Sequence, residues 1–402
     1  MKIGITCYPT YGGSGAVATE LGIALAARGH DVHFITYQQP FRLPGFLPRI
    51  FFHEVAVGRY PLFEFPPYDL ALAVRMHEVV RDYGLDVLHC HYAIPHATSA
   101  WIARQMLHER ALTNAAHGRG EWAGDAPPTD VALVTTLHGT DITIVGQDPS
   151  FWAITKFSIE KSDAITAVSD YLRTETIRSF GCTTCDVDVI PNFIDPALYD
   201  RAAHAPVFHR ERAGGRKILL HISNFRPVKR VRDIVQIFAK VDAVVPSTLV
   251  MVGDGPDRAL AEEEARQLGV ADRVRFYGKI DAVAPLLADA DLFLLPTDRE
   301  SFGLSALEAL ASGVPVVGAA VGGLVEVVRD GITGALRPVG DIDGMATAAI
   351  AILRDDVRRR EMGDIAAADA RARYGQDAIV AQYESLYERT VAMRKARRAV
   401  PA

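Results

Sequence analysis

Two doubly wound α/β domains in one chain are predicted by three observations. Short apolar runs alternate with stretches of helical spacing along the 402 residues. The alternation loosens between 191 and 206 and restarts at Lys217. In each half a strand runs into a turn rich in Gly or Ser and then into a helix. Strands that alternate with helices pair in parallel through right-handed crossovers, so each half winds one sheet with helices on both faces. The expected layout is a Rossmann-like domain over 1–195 and a second over 196–377, facing a cleft that holds the ligand.

The elements follow from period and punctuation. In the first half, apolar runs at 2–7, 31–36, 50–57, 86–90, 132–137 and 164–168 are too short for helices and read as buried strands. Helical spacing covers 15–28, 68–83 and 96–108, while 114–128, rich in Gly, Ala and Pro, reads as a surface excursion. In the second half the strands are 217–223, 247–252, 273–277, 292–295 and 314–317, and a long helix over 378–395 ends the chain.

Composition removes several function classes. Charged residues make up 23% and the net charge is -6, which gives no nucleic-acid surface. No apolar run of about 18 residues exists, and Met1 leads straight into a strand, so the chain reads as cytoplasmic, with no stable membrane association. The basic tail over 389–398 reads as a solvated helix end. Four cysteines, Cys7, Cys90, Cys182 and Cys185, are too few for a disulfide framework. Cys182-Thr-Thr-Cys185 reads as an ordinary loop in preference to a redox couple or half a zinc site.

The most informative stretch is Thr297-Asp298-Arg299-Glu300-Ser301-Phe302-Gly303-Leu304-Ser305-Ala306-Leu307-Glu308. It follows the run at 292–295, with Ser301 expected to cap the next helix, Leu304 and Leu307 to pack inward, and Gly313 to end it. A strand, a loop and a helix start in that order form an anion site. Two Glu separated by seven intervening residues and bracketing Ser-Phe-Gly resemble the signature of the retaining glycosyltransferases of family 4. That resemblance implies a GT-B architecture whose last helix crosses back onto the first domain, and a nucleotide-sugar donor. Such a donor is hydroxyls around a diphosphate. Carboxylates of Glu300 and Glu308 suit sugar and ribose hydroxyls, and backbone N–H groups of Phe302, Gly303 and Leu304 suit phosphate oxygens. The bland alternative is a helix with two solvated Glu.

Other strand ends match the same family. Pro9-Thr10-Tyr11-Gly12-Gly13-Ser14-Gly15 opens a helix, and Gly13 and Ser14 read as facing the diphosphate or the acceptor. In Ser223-Asn224-Phe225-Arg226-Pro227-Val228-Lys229, Lys229 reads as a clamp on the leaving diphosphate. The family usually has Arg five residues before that Lys. Here Asn224 stands in its place, and Arg226 is the nearest cation. Loops at 252–256 and 273–279 match the stations where the family holds the base, through Gly278 and Lys279, while Gly322-Gly323 suits a helix start or close packing. The family keeps a His at the strand end occupied by His138, where a neutral imidazole both donates to and accepts from a sugar hydroxyl. His89 and His91 read as strand-end histidines in preference to a metal site.

Several segments narrow the resemblance: Gly4-Ile5-Thr6-Cys7-Tyr8-Pro9, Pro66-Pro67-Tyr68-Asp69-Leu70-Ala71, His89-Cys90-His91-Tyr92-Ala93-Ile94-Pro95-His96, Thr136-Leu137-His138-Gly139-Thr140-Asp141-Ile142-Thr143 and His221-Ile222-Ser223-Asn224-Phe225-Arg226. They are similar to the branch that moves N-acetylglucosamine from UDP-GlcNAc to the hydroxyl of L-malate in bacillithiol biosynthesis. That resemblance implies retention, no cofactor and no obligatory metal, with His138, Lys229 and Glu300 at the chemistry. Ser14, Tyr92, Thr140, Asn192 and Arg226 are the expected malate ligands. Alternatives are another acceptor, such as inositol phosphate or a lipid-linked sugar, and a UDP-GlcNAc epimerase on the same architecture. A homodimer is the default for a soluble enzyme.

Overall fold

Aliphatic strands buried on both faces leave no solvated side, which is the condition under which sheets are wholly parallel. The computed structural model describes residues 1–10, 12–58, 64–116, 130–181 and 185–399. The chain divides into one unit formed by Met1–Pro191 with Asp377–Ala402 and a second formed by Asn192–Gln376. The division falls slightly before 195, which moves Asn192 into the second unit.

The first unit holds β1 (Lys2–Thr6), β2 (Asp31–Thr36), β3 (Ile50–Glu54), β4 (Val87–His91), β5 (Ala132–Leu137), β6 (Ala164–Ala167) and β7 (Val187–Val189), in the order β3-β2-β1-β4-β5-β6-β7. All pairs are parallel, with Ile3 opposite Val32 on one side and Val87 on the other. Chain direction across the sheet reverses between β1 and β4, and their carboxyl ends therefore open onto one crevice.

The second unit repeats the plan with β8 (Lys217–Ile222), β9 (Ser247–Val252), β10 (Val274–Gly278), β11 (Leu292–Leu295), β12 (Val316–Ala319) and β13 (Gly334–Arg337), ordered β10-β9-β8-β11-β12-β13. Its reversal lies between β8 and β11. The helix Val231–Asp242 follows the β8 loop and buries Ile234, Val235, Ile237, Phe238 and Val241 against the sheet. Burial at that spacing is what holds a helix of this length, since propensity alone leaves it marginal.

Several expectations shift. The third strand stops at Glu54, and its Phe51 and Phe52 are exposed on an edge. The helical spacing at 96–108 belongs to a helix running Thr98–Ala116. Most of the excursion at 114–128 lies outside the described residues. Cys7 and Cys90 are buried free thiols, pushed up by burial, while Cys185 is disulfide-bonded, which the ordinary-loop reading did not include; Cys182 lies outside the described residues.

The final helix, Gln376–Ala399, packs within the first unit. Tyr383 and Tyr387 are buried, and the Tyr387 hydroxyl lies 2.8 Å from His89 Nδ1. Further along, Arg394 Nη2 donates to both oxygens of Asp130 at 2.6 and 2.5 Å, and Nη1 to Asp163 at 3.1 Å. No helix among the described residues is long and apolar enough to cross a membrane.

Candidate active site

In the second unit the reversal sets the β8 loop beside the β11 loop, and their side chains meet. Lys229 Nζ donates to Glu300 Oε2 at 2.7 Å, with both side chains mostly buried. Arg230 reaches Asp298 at 2.9 Å, and the Asp298 N–H donates to Val228 O at 2.8 Å. His221, at the end of β8, joins the strands beneath them. Its Nδ1 donates to Leu294 O at 2.8 Å, which leaves Nε2 to accept from the Ser223 hydroxyl at 2.7 Å. Burial holds this imidazole neutral, down at about 4. Ser223 Oγ in turn accepts from the Phe225 N–H at 3.3 Å, inside a loop where Phe225 has φ +39.

Glycines let neighbouring loops press onto this pair. A Cβ on Gly253 would sit 1.7 Å from Ser223 O, and one on Gly323 would sit 2.1 Å from Ser301 O. Gly323 also donates its N–H to Glu300 O at 2.8 Å and stands at the N-cap of the short helix Leu324–Val327, so it serves both a helix start and close packing. Ser301 does not cap the next helix. Leu304–Ala311 begins instead after Gly303, at φ +99, with no side-chain cap, which leaves its first N–H groups to an anion. Leu304 is half-buried, while Leu307 is fully buried. Phe302 is buried edge-on against Tyr374, so only its backbone can serve a ligand.

Glu308 lies in the second turn of that helix, 3% exposed, and its Oε1 accepts from the Tyr199 hydroxyl at 2.7 Å. Gly278 ends β10, and its carbonyl accepts from Gly253 N–H at 2.7 Å; Lys279 beside it is exposed. Asn224 Oδ1 and Asn192 Oδ1 are buried with no hydrogen-bond partner among the described residues, and Arg226 is exposed.

In the first unit the helix Gly13–Ala27 starts after Gly12, again with no side-chain cap. The β1 and β4 ends meet where Tyr92 OH donates to Ser14 Oγ at 2.9 Å, and Thr140 also hydrogen-bonds the Tyr92 phenol. Tyr92 itself has φ +102, a conformation that non-glycine residues hold only when their surroundings enforce it. Asp141 supplies that enforcement. Its carboxylate accepts from Ala93 N–H at 3.0 Å and Gly139 N–H at 3.0 Å, tying the β4 loop to the β5 loop. Burial pushes this carboxyl up to about 6 against those donors. His138 Nε2 lies 2.8 Å from His91 Nδ1, and His96 Nδ1 donates to His91 O at 2.7 Å. Sequence reasoning missed Asp141, Tyr199 and His221 as organisers. Asp141 stood in a segment already singled out, whereas Tyr199 lies in a connector with no periodicity to mark it.

His89, His91, His96 and His138 are all held below the ordinary imidazole range, first by burial; His89 and His138 fall to about 3 and His96 to about 4. Groups depressed in the folded state contribute stability above their unfolded value that is lost as pH falls toward the folded one. The window here runs from about 6.5 down to 3. Asp141, raised to about 6, acts in the opposite sense, because its stabilising contribution is lost as pH rises through that value. Four groups outweigh one. Thermal unfolding of the protein is expected to be nearly flat above pH 7 and to fall steeply between pH 6 and 4. The slope should be several times the roughly 1.4 kcal/mol per pH unit that one such group gives. A melting temperature unchanged from pH 7 to 4.5 would show these imidazoles to be accessible.

Each parallel-sheet unit gathers loops at its own reversal point, and in the second unit these set the Lys229–Glu300 pair beside the uncapped start of the next helix. The chain belongs to glycosyltransferase family 4: the profile described as Glycosyltransferase Family 4 matches residues 11–198 and that described as Glycosyl transferases group 1 matches 207–369. It is a glycosyltransferase of the GT-B fold class. Among its relatives, N-acetyl-alpha-D-glucosaminyl L-malate synthase of Bacillus anthracis is 47% identical over 390 residues, covering 96% of each chain. Sucrose-phosphate synthase from Thermosynechococcus elongatus shares the fold at TM-score 0.76 and 23% identity, over 98% of this chain and 99% of that one. Anabaena HepE in complex with UDP and glucose does so at TM-score 0.72 and 18% identity, over 96% and 99%.

Proposed function

We propose that this chain moves N-acetylglucosamine from UDP-GlcNAc to the hydroxyl of L-malate with retention, as the first step of bacillithiol biosynthesis. The observation that carries the transfer chemistry is the Lys229–Glu300 contact of 2.7 Å beside the uncapped helix start. The two substrates are supported by the name of the relative that is 47% identical across 96% of the chain.

On this reading the N–H groups of Phe302, Gly303 and Leu304 hold the diphosphate, and Lys229 meets the charge that grows on it as the glycosidic bond breaks. Glu300 holds sugar hydroxyls, Glu308 the ribose, and backbone groups at Gly278 and Lys279 the base, with Asn224, Gly13 and Ser14 completing the donor contacts. Ser14, Tyr92, Thr140 and Asn192 present hydroxyls and an amide to malate, and Arg226 is the cation for its carboxylates. His138, neutral at physiological pH, serves a hydroxyl at the reacting centre. The bond from the anomeric carbon to the phosphate oxygen breaks, and the bond to the malate oxygen forms on the same face. The departing phosphate takes the malate proton, so the protein contributes position and charge and no nucleophile.

The test is UDP release from UDP-GlcNAc with L-malate, D-malate, inositol phosphate or no acceptor. Release that requires L-malate, with an α-linked product, is expected. Equal release without acceptor would replace this reading with hydrolysis or epimerisation.

A further inference from the structure

Tyr199 belongs to the connector that enters the second unit, and that connector is strapped down along its length. Ile194 N–H donates to Tyr374 O at 2.9 Å, and Gln376 N–H donates to Ile194 O at 3.0 Å. Leu198 N–H returns to Asp195 O at 3.1 Å. Just beyond Tyr199, Arg201 donates to Ala288 O at 2.6 Å and Ala290 O at 2.5 Å, the carbonyls immediately before β11. Val207 and Phe208 N–H groups close on Asp289 Oδ2 at 2.8 and 2.7 Å. A segment fixed at so many points delivers its side chains to fixed positions. Tyr199, 2% exposed, places its hydroxyl 2.7 Å from Glu308 Oε1, and Glu308 is itself 3% exposed.

A carboxylate with a rotatable stem binds vicinal hydroxyls well only when its plane is set beforehand, because ordering it on binding subtracts from the affinity. We infer that Tyr199 is a positioning residue for the donor: its hydroxyl fixes the Glu308 carboxylate in the orientation that receives the two ribose hydroxyls of the nucleotide. This rests on the assignment of Glu308 to the ribose made above. Tyr199 acts through Glu308, and its removal should therefore change donor affinity without changing the chemical step. The ring supplies packing whether or not it carries the hydroxyl, so Tyr199→Phe isolates the hydrogen bond.

The experiment is calorimetric titration of UDP and of 2′,3′-dideoxy-UDP into the wild-type protein, Tyr199→Phe, Glu308→Gln and the double variant, with turnover measured alongside. Tyr199→Phe is expected to weaken UDP about 5- to 30-fold and raise the donor KM by a similar factor, with kcat within about twofold. The penalty should disappear for the dideoxy nucleotide, and the double variant should bind UDP no worse than Glu308→Gln alone. If Glu308→Gln weakens UDP but Tyr199→Phe does not, or weakens both nucleotides equally, Tyr199 has no positioning role. If Glu308→Gln leaves UDP affinity unchanged, the ribose assignment itself is wrong and the inference falls with it.

Discussion

Replacing Lys229 by Ala is expected to lower turnover at saturating donor by about 10²- to 10³-fold, the usual effect of removing one preorganised group from a developing negative charge. The ammonium is 2.7 Å from Glu300 Oε2, and neither side chain is more than a fifth exposed. Their attraction is therefore poorly screened, and the pair holds the β8 loop to the β11 loop before any donor arrives. Removing the cation takes away the charge that stabilises the leaving diphosphate and leaves the Glu300 carboxylate unpaired. Both effects raise the barrier, and the first acts mainly in the transition state, so kcat should fall more than donor affinity. Lys229→Arg should recover little, because a planar fork cannot reproduce a point charge on this stem. Single-turnover kinetics at saturating UDP-GlcNAc would check it. Normal turnover in Lys229→Ala would move the clamp elsewhere.

Gly253→Ala is expected to destabilise the second unit by about 3–5 kcal/mol, the range of the severest backbone substitutions. Two independent faults coincide at this residue. Its φ of +121 lies where L side chains are strained, and the added Cβ would sit 1.7 Å from the Ser223 carbonyl oxygen. That oxygen belongs to backbone, which cannot turn away as a side chain can. The β8 loop would have to retreat, carrying Asn224 and Phe225 with it, and weaker UDP binding should accompany the lost stability. For a unit of this size the expected fall in melting temperature is roughly 6–20 °C. A melting temperature within a degree of wild type, with full UDP affinity, would show that the loops are not pressed together as described.

The strands were legible wherever an apolar run was long enough to stand out, as at Ser247–Val252 and Leu292–Leu295. Val187–Val189 and Gly334–Arg337 escaped notice because three or four residues carrying Asp, Gly or Arg give no periodic signal, and only pairing to β6 or β12 makes them strands. The two Glu and Lys229 were legible as types at a spacing. Their contact was not, because it spans 71 residues and depends on which strands are neighbours. Ser301 looked like a helix cap on residue type alone, but the left-handed turn at Gly303 starts the helix later. Asp141 reads in sequence as one polar residue among several. Only the fold brings Ala93 and Gly139 N–H groups onto its carboxylate and shows that it shapes the loops carrying Tyr92 and His138.

The most direct measurement is the crystal structure of the protein soaked with UDP-GlcNAc. The diphosphate should lie against the helix start at Gly303 with Lys229 turned toward it, and the ribose hydroxyls should meet the Glu308 carboxylate. Nucleotide density elsewhere on the second unit, with Glu300 and Lys229 still joined and Glu308 untouched, would contradict the assignment of this turn as the donor site.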